Sequence, residues 1–95
     1  MPAYLIADIT LTDAELYSNY TAVTPGTIEK YGGHKIVRSS DIAIIEGDWG
    51  PDRMTIIEFP DRAAAMEWYY SSEYAPLKAM RHGVSTANAI IVDSI

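Results

Sequence analysis

A chain of 95 residues with 48% hydrophobic side chains is long enough for one domain with one core, and it has no room for a second. Its net charge of −6 argues against nucleic-acid binding, because that binding needs basic side chains to displace counterions from phosphate. The absence of cysteine excludes disulfides, thiolate catalysis and cysteine-ligated metal sites.

The N-terminal segment and the hydropathy of the chain predict a cytoplasmic protein. The opening residues MPAYLIADIT lack the basic start and the cleavage site of a secretory signal. No apolar run approaches the roughly 20 residues that a membrane span requires. Neither a membrane nor a nucleic acid is therefore an expected partner.

The first third of the chain predicts a strand and a long helix. Residues 3–11 alternate between an apolar face and a mixed face, which is typical of a strand with one side in the core. The sequence from Thr12 to Glu15 is a capping box led by the Thr12 hydroxyl. The apolar rhythm then continues through Pro25 to about Tyr31, which predicts one helix with a kink at the proline.

The middle of the chain predicts two further strands around a loop. Residues 34–39 are a strand, and after a turn-like break we expect it to resume over residues 42–47. Residues 48–52 contain Gly-Pro-Asp, which is turn chemistry. Residues 53–59 are the third strand.

The last third predicts two helices and a final strand. Asp61 is the expected N-cap of a helix that runs to about Tyr70. A shorter helix over residues 75–81 is closed by Gly83, and residues 87–93 form the last strand. The predicted fold class is therefore α+β, a ferredoxin-like βαββαβ domain over residues 1–95 with an antiparallel sheet and both helices on one face.

Four carboxylates each follow an apolar strand segment, and the topology predicts where they meet. Asp8 and Glu46 fall at one end of the sheet, whereas Glu58 and Asp93 fall at the other. Arg53 is expected at the first end, where it would clamp Asp8 and Glu46. The alternative for each acid is an ordinary solvated or paired strand end.

The order of several short motifs resembles a known family. These motifs are, in chain order, Asp13, Tyr17, Tyr20, Tyr31-Gly32-Gly33, Glu46-Gly47-Asp48-Trp49, Arg53, Ile57-Glu58-Phe59-Pro60, Ala65, Trp68-Tyr69, Ser72-Glu73-Tyr74 and Arg81. Through them the sequence resembles the domain-of-unknown-function 1330 family of bacterial proteins over essentially its whole length.

The resemblance implies a dimeric α/β barrel. Two ferredoxin-like subunits would lay their open sheet faces together, with the helices outside. Relatives in the wider superfamily include cofactor-independent monooxygenases, small isomerases and ligand-binding regulatory domains. The family itself has no agreed activity, so the resemblance implies a fold and no specific chemistry.

Two functions remain open at this point. One is a small enzyme that acts on an organic molecule without metal or other cofactor, in a pocket between sheet and helices, with Glu46 or Glu58 as general acid or base. The other is a non-catalytic, homodimeric binding module or accessory subunit. A third alternative is that the segment from Glu46 to Tyr74, which is rich in aromatic and acidic residues, forms only a dimer interface.

The candidate ligand-binding residues are three arginines that would hold an anionic or carbonyl group and three aromatic side chains that would wall the pocket. They are Arg38, Arg53, Arg81, Trp49, Trp68 and Tyr74. Trp49 is equally suited to docking against a partner subunit, and Trp68 to the core. A metal site is not expected, because His34 or His82 would need two carboxylates brought to it by folding.

Overall fold

The computed structural model describes all 95 residues. The elements follow in the order β1 (Ala3–Leu11), α1 (Ala14–Lys30), β2 (His34–Ser39), β3 (Arg53–Phe59), α2 (Arg62–Tyr69), α3 (Ala75–Val84) and β4 (Ser85–Asp93). The strands form one sheet in the order β2-β3-β1-β4, and each neighbouring pair is antiparallel. The predicted βαββαβ ferredoxin-like order is confirmed.

The helix ends follow local capping chemistry. Asp13, and not the predicted Thr12, caps α1, because its carboxylate accepts a hydrogen bond from the Leu16 amide at 3.0 Å. The Thr12 amide instead donates to the Val84 carbonyl at 2.8 Å, which holds that residue outside the helix. Asp61 caps α2 as predicted. The helix α1 continues through Pro25, also as predicted.

The end of α3 differs from the prediction. Gly83 lies inside the helix, which continues to Val84, and β4 begins directly at Ser85. A glycine closes a helix when it takes a positive φ, and the glycines with positive φ are Gly32 and Gly47 only. Gly32, with φ 78°, follows α1 and gives the helix a left-handed end.

The predicted strand over residues 42–47 is absent, and residues 40–52 form an irregular loop. The only neighbour of β2 is β3, whose first residue is Arg53, and Ser39 already pairs with Met54. Residues beyond Ser39 therefore have no strand to pair with. The β-branched residues in 42–47 favour a strand, but no neighbouring strand is available to pair with them, so no strand forms.

Strand alternation gives the sheet two different faces. The helix-covered face of β1 places Leu5, Ala7 and Ile9 in the buried core. The other face, which we call the open face, has no helix over it. Its central row runs across the sheet as Val37, Ile56, Ile6 and Ile90, four apolar side chains in register.

The turn after α1 provides a test of packing between the helix layer and the sheet. A Cβ atom on Gly33 would lie 2.6 Å from a ring carbon of Phe59 and 2.9 Å from Cγ2 of Ile28, both in the core. We therefore expect Gly33→Ala to lower the free energy of unfolding by about 2–3 kcal/mol, as overpacking does. Gly26→Ala is the matched control, because nothing lies within 4 Å of its added Cβ. Urea unfolding of both variants checks this, and equal stability for the two would contradict the packing described.

Candidate functional site

A narrow cavity of about 30 Å³ lies between the sheet and the helices. Its floor is a row of small residues across three strands, Thr55 of β3, Ala7 of β1 and Ala89 of β4, which are neighbours in register. Because no large side chain stands on this row, the helices cannot fill the space above it. A cavity of this size holds about one or two waters, so a larger ligand requires it to open.

The roof of the cavity is aromatic and comes from all three helices and the turn between two of them. The Trp68 and Tyr74 rings are in contact with centroids 4.0 Å apart and an angle of 33° between their planes. The Trp68 indole donates to the Thr27 hydroxyl at 3.0 Å. The roof residues are Tyr17, Tyr20, Thr24, Trp68, Tyr69, Tyr74 and Arg81.

Two buried tyrosine hydroxyls and a guanidinium form a connected group in the roof. The hydroxyls of Tyr20 and Tyr74 lie 2.6 Å apart, and Nε of Arg81 donates to the Tyr74 hydroxyl at 3.3 Å. Burial, together with the neighbouring Tyr74, raises the pKa of Tyr20 far above its ordinary value. The Tyr20 phenol therefore stays neutral at physiological pH and cannot serve as the counter-ion of Arg81.

Arg81 is a buried cation without a carboxylate partner. The residue is only 6% exposed. The ion pairs of the molecule are Lys30 with Glu73 and Arg62 with Asp93, and neither involves Arg81. An unpaired buried charge is costly, and an anion beside it would remove most of that cost.

Three more basic side chains lie at or beside the cavity. Lys35 of β2 lines it, and burial, followed by the charges of Arg38 and Arg53, lowers the pKa of the Lys35 ammonium. Arg38 lies beside Thr55 in the floor row, and the Arg53 guanidinium is 5.4 Å from the centroid of the Tyr17 ring.

The four basic residues Lys35, Arg38, Arg53 and Arg81 are called the cation cluster below. They are four of the seven basic side chains in the chain, and none of them forms an ion pair. The chain carries 13 acidic residues, yet none lines the cavity. The site is thus a positive cavity in a negatively charged protein, which is the electrostatic signature of an anion site.

The predicted clamp of Arg53 on Asp8 and Glu46 does not form. Arg53 pairs in register with Ile9, which points to the helices, whereas Asp8 is on the open face of the sheet. The Asp8 carboxylate instead accepts a hydrogen bond from the Trp49 indole at 2.9 Å. Glu46 is exposed in the loop. The topology placed these groups at one end of the sheet, but the alternation of side chains puts Arg53 and Asp8 on opposite faces.

The structure brings together five of the sequence-predicted site residues. Trp68, Tyr74 and Arg81 line the cavity, and Arg38 and Arg53 flank it. The three others lie elsewhere, and their proposed roles stay predictions. Trp49 is 62% exposed on the open-face side of the sheet, and Glu46 lies in the same loop. Glu58 is on the open face, in register with Tyr4 and His34.

Sequence reasoning did not single out Lys35 or Tyr20 as site residues. Lys35 precedes apolar residues in a short edge strand, and alternation alone leaves open which face carries it. Tyr20 sits on the apolar stripe of α1 and is indistinguishable there from a core tyrosine.

The positions of the side chains and helices support neither a metal site nor a membrane-spanning segment. No three His, Asp or Glu side chains approach closely enough to hold a metal ion, and His34 and His82 lie on different elements. No helix combines the length and apolarity needed to cross a bilayer.

Comparisons with known proteins agree with this architecture. The family model for a domain of unknown function, DUF1330, matches residues 2–95. The chain belongs to the DUF1330 family. Among curated proteins no sequence matches this DUF1330 protein significantly.

Solved structures share its fold at low sequence identity. A protein of unknown function from Rhodopseudomonas palustris superposes with a TM-score of 0.80 at 20% identity, covering 99% of this chain and 82% of that one. A dimeric ferredoxin-like protein of unknown function from a Jannaschia species gives 0.77 at 9% identity, covering 99% and 100%. SnoaB, a cofactor-independent oxygenase from Streptomyces nogalater, gives 0.73 at 14% identity, covering 99% and 93%.

Proposed function

We propose that this DUF1330 protein is a homodimer that binds a small organic anion in the cavity beneath its helices. The observation that carries the proposal is the buried guanidinium of Arg81, which faces a cavity and has no carboxylate partner. A carboxylate or an enolate oxygen would supply the missing charge and accept its unused N–H groups.

The walls define the rest of the ligand. Trp68, Tyr69 and Tyr74 present aromatic surface, so a planar or aromatic body is favoured beside the charged group. The Tyr20 and Tyr74 hydroxyls add neutral donors and acceptors. The ligand class is therefore a small, flat organic acid.

Entry of such a ligand requires one wall to move, and Tyr69 is placed to be that wall. An open groove of about 360 Å³ between α2 and β4 shares Leu5, Tyr69 and Ala89 with the cavity. Turning the half-buried Tyr69 side chain away would join the two spaces. The joined volume falls in the range of about 300–1,000 Å³ that is typical of ligand pockets.

Homodimer formation is supported by the apolar open face. The row of Val37, Ile56, Ile6 and Ile90 has no helix over it, and Ile90 is 57% exposed. Contiguous exposed apolar surface of this kind marks interaction sites. The Jannaschia protein of the same fold is described as dimeric, which agrees with this assembly.

Cofactor-independent catalysis on the bound anion is the second candidate. A cation cluster beside a substrate can stabilise negative charge that develops during a reaction. SnoaB shares the fold and is a cofactor-independent oxygenase, which favours this candidate over other chemistries. The acid or base roles of Glu46 and Glu58 belong to this candidate, and they would require the ligand to reach the loop or the open face.

Benzoate tests the binding proposal, with benzyl alcohol as its uncharged counterpart. We expect benzoate to raise Tm, because a ligand that binds only the folded state adds about 1.4 kcal/mol of stability for each tenfold rise in its concentration above Kd, or ~7 °C in a domain of this size. Benzyl alcohol at equal concentration should leave Tm unchanged. If the two compounds gave the same shift, the ligand would be recognised by its ring alone and the anion site would be refuted.

A further inference from the structure

One member of the cation cluster has the setting of a reactive amine. Lys35 is the second residue of β2 and pairs in register with Ile57, whose side chain is buried beneath the helices. This register places Lys35 on the helix-covered face, where it lines the same cavity as Arg81. The residue is partly buried, unlike an exposed surface lysine.

The electrostatic surroundings of Lys35 disfavour its charged form. Its charged neighbours are Arg38 and Arg53, and no carboxylate pairs with it. Burial first, and these two guanidinium groups second, lower the pKa of the Lys35 ammonium. A larger fraction of the side chain is therefore the neutral amine, which is the nucleophilic form.

The other two lysines of the chain have different settings. Lys30 is 63% exposed and pairs with Glu73, which raises its pKa. Lys78 lies over the Tyr69 ring at 4.3 Å and donates to the Tyr69 carbonyl at 3.1 Å. Lys35 is thus the one lysine that combines cavity lining with two cationic neighbours.

We propose that Lys35 forms an imine with the carbonyl carbon of a small oxo acid whose carboxylate is held by the arginines of the cation cluster. This step rests on the anion binding proposed above and names the substrate class more narrowly, as organic acids that carry an aldehyde or ketone. The neutral Lys35 nitrogen adds to the carbonyl carbon, and the carbonyl oxygen leaves as water with both hydrogens of the nitrogen. The product is a C=N bond, and no oxidant, reductant or metal takes part.

Reductive trapping on the wild-type protein tests this proposal. Glyoxylate, the smallest oxo acid with an aldehyde, is incubated with the protein at pH 7 and sodium cyanoborohydride, which delivers hydride to the imine carbon and fixes the adduct as a carboxymethylated amine. Peptide mapping then measures labelling at Lys30, Lys35, Lys78 and the N-terminal amine. We expect the Lys35 label to exceed the Lys30 label severalfold, because the lowered pKa of Lys35 and the raised pKa of Lys30 give Lys35 the larger neutral fraction. Exposure alone predicts the opposite order, because Lys30 is the more accessible amine.

Competition with benzoate tests whether glyoxylate labels Lys35 from within the anion site. Excess benzoate should suppress the Lys35 label and leave the Lys30 label unchanged, and benzyl alcohol should suppress neither. The variant Lys30→Arg is the matched control and should keep full labelling at Lys35.

The outcomes of these experiments distinguish imine formation at Lys35 from anion binding in the cavity. Equal labelling of the three lysines, or labelling of the N-terminal amine alone, overturns the imine at Lys35. If benzoate still raises Tm in that case, the anion site stands without it. A Lys35 label that benzoate does not suppress removes the arginines of the cation cluster from the recognition of the oxo acid and overturns oxo acids as the substrate class of this site.

Discussion

Arg81→Met is expected to abolish benzoate binding while leaving the ligand-free protein at least as stable as the wild type. Methionine retains the length and apolar contacts of the arginine stem but removes a buried charge that has no carboxylate partner. Replacing buried charges by apolar groups of similar size is often neutral or stabilising. The Tyr74 hydroxyl loses one hydrogen bond, but it keeps its bond to Tyr20.

The loss of binding should be large. A hydrogen-bonded ion pair in a buried site costs about 2–5 kcal/mol when one partner is removed, so we expect Kd for benzoate to rise about 100-fold or more. The measurement is Tm against benzoate concentration, with unfolding in urea for the ligand-free protein. Opposite effects on stability and binding would identify Arg81 as a residue retained for its ligand and not for the fold.

Lys30→Met is the control for charge. It also removes one positive charge, but from an exposed ion pair with Glu73 away from the cavity. We expect it to keep the benzoate shift. If Arg81→Met unfolded the protein, or if both variants lost the shift to the same degree, Arg81 would be structural and the anion site would lose its support.

Ile6→Glu is expected to convert the proposed homodimer into a folded monomer. Ile6 is at the centre of the open face, with Ile56 on one side and Ile90 on the other. In a dimer closed by two open faces, the carboxylate introduced on each subunit would be buried among apolar groups at a cost of several kcal/mol. In a monomer the same carboxylate meets water, so the fold itself should persist.

Sedimentation measures the assembly, and far-ultraviolet circular dichroism confirms the fold of each variant. Val23→Glu is the matched control, because it adds the same charge to the outer surface of α1, where Val23 is already exposed. It should remain a dimer. A wild-type protein that sediments as a monomer, or an Ile6→Glu variant that remains a dimer, would reject the open face as the dimer interface.

Local sequence patterns predicted most of the elements of this protein. The alternation of residues 3–11 predicts β1 to the residue, and the N-cap at Asp61 predicts the start of α2. These predictions succeed because a period of two or a capping side chain is a property of neighbouring residues. The strand predicted over residues 42–47 fails for the converse reason, since a strand exists only where another strand is beside it.

The candidate site depended on facts that no local pattern contains. Arg81, Trp68 and Tyr74 could be proposed from residue type, and they do line one cavity. The Arg53 clamp could not be predicted correctly, because the faces of β1 and β3 depend on their register.

What the sequence by itself determined is the order of elements and the overall negative charge, because these follow from local periodicity and composition. It also indicated the family, through the resemblance of its motifs and their order, and the family model matches residues 2–95. Only the tertiary structure decided that Thr55, Ala7 and Ala89 meet in one row and leave a cavity above them. It also decided that the basic side chains around that cavity stay unpaired while the acids lie elsewhere. The physical reason is that a cavity forms where no side chain fills a space, and a charge stays unpaired where no opposite charge is close. Both depend on which residues are neighbours in space, and strand register and helix packing decide that for residues far apart in the sequence.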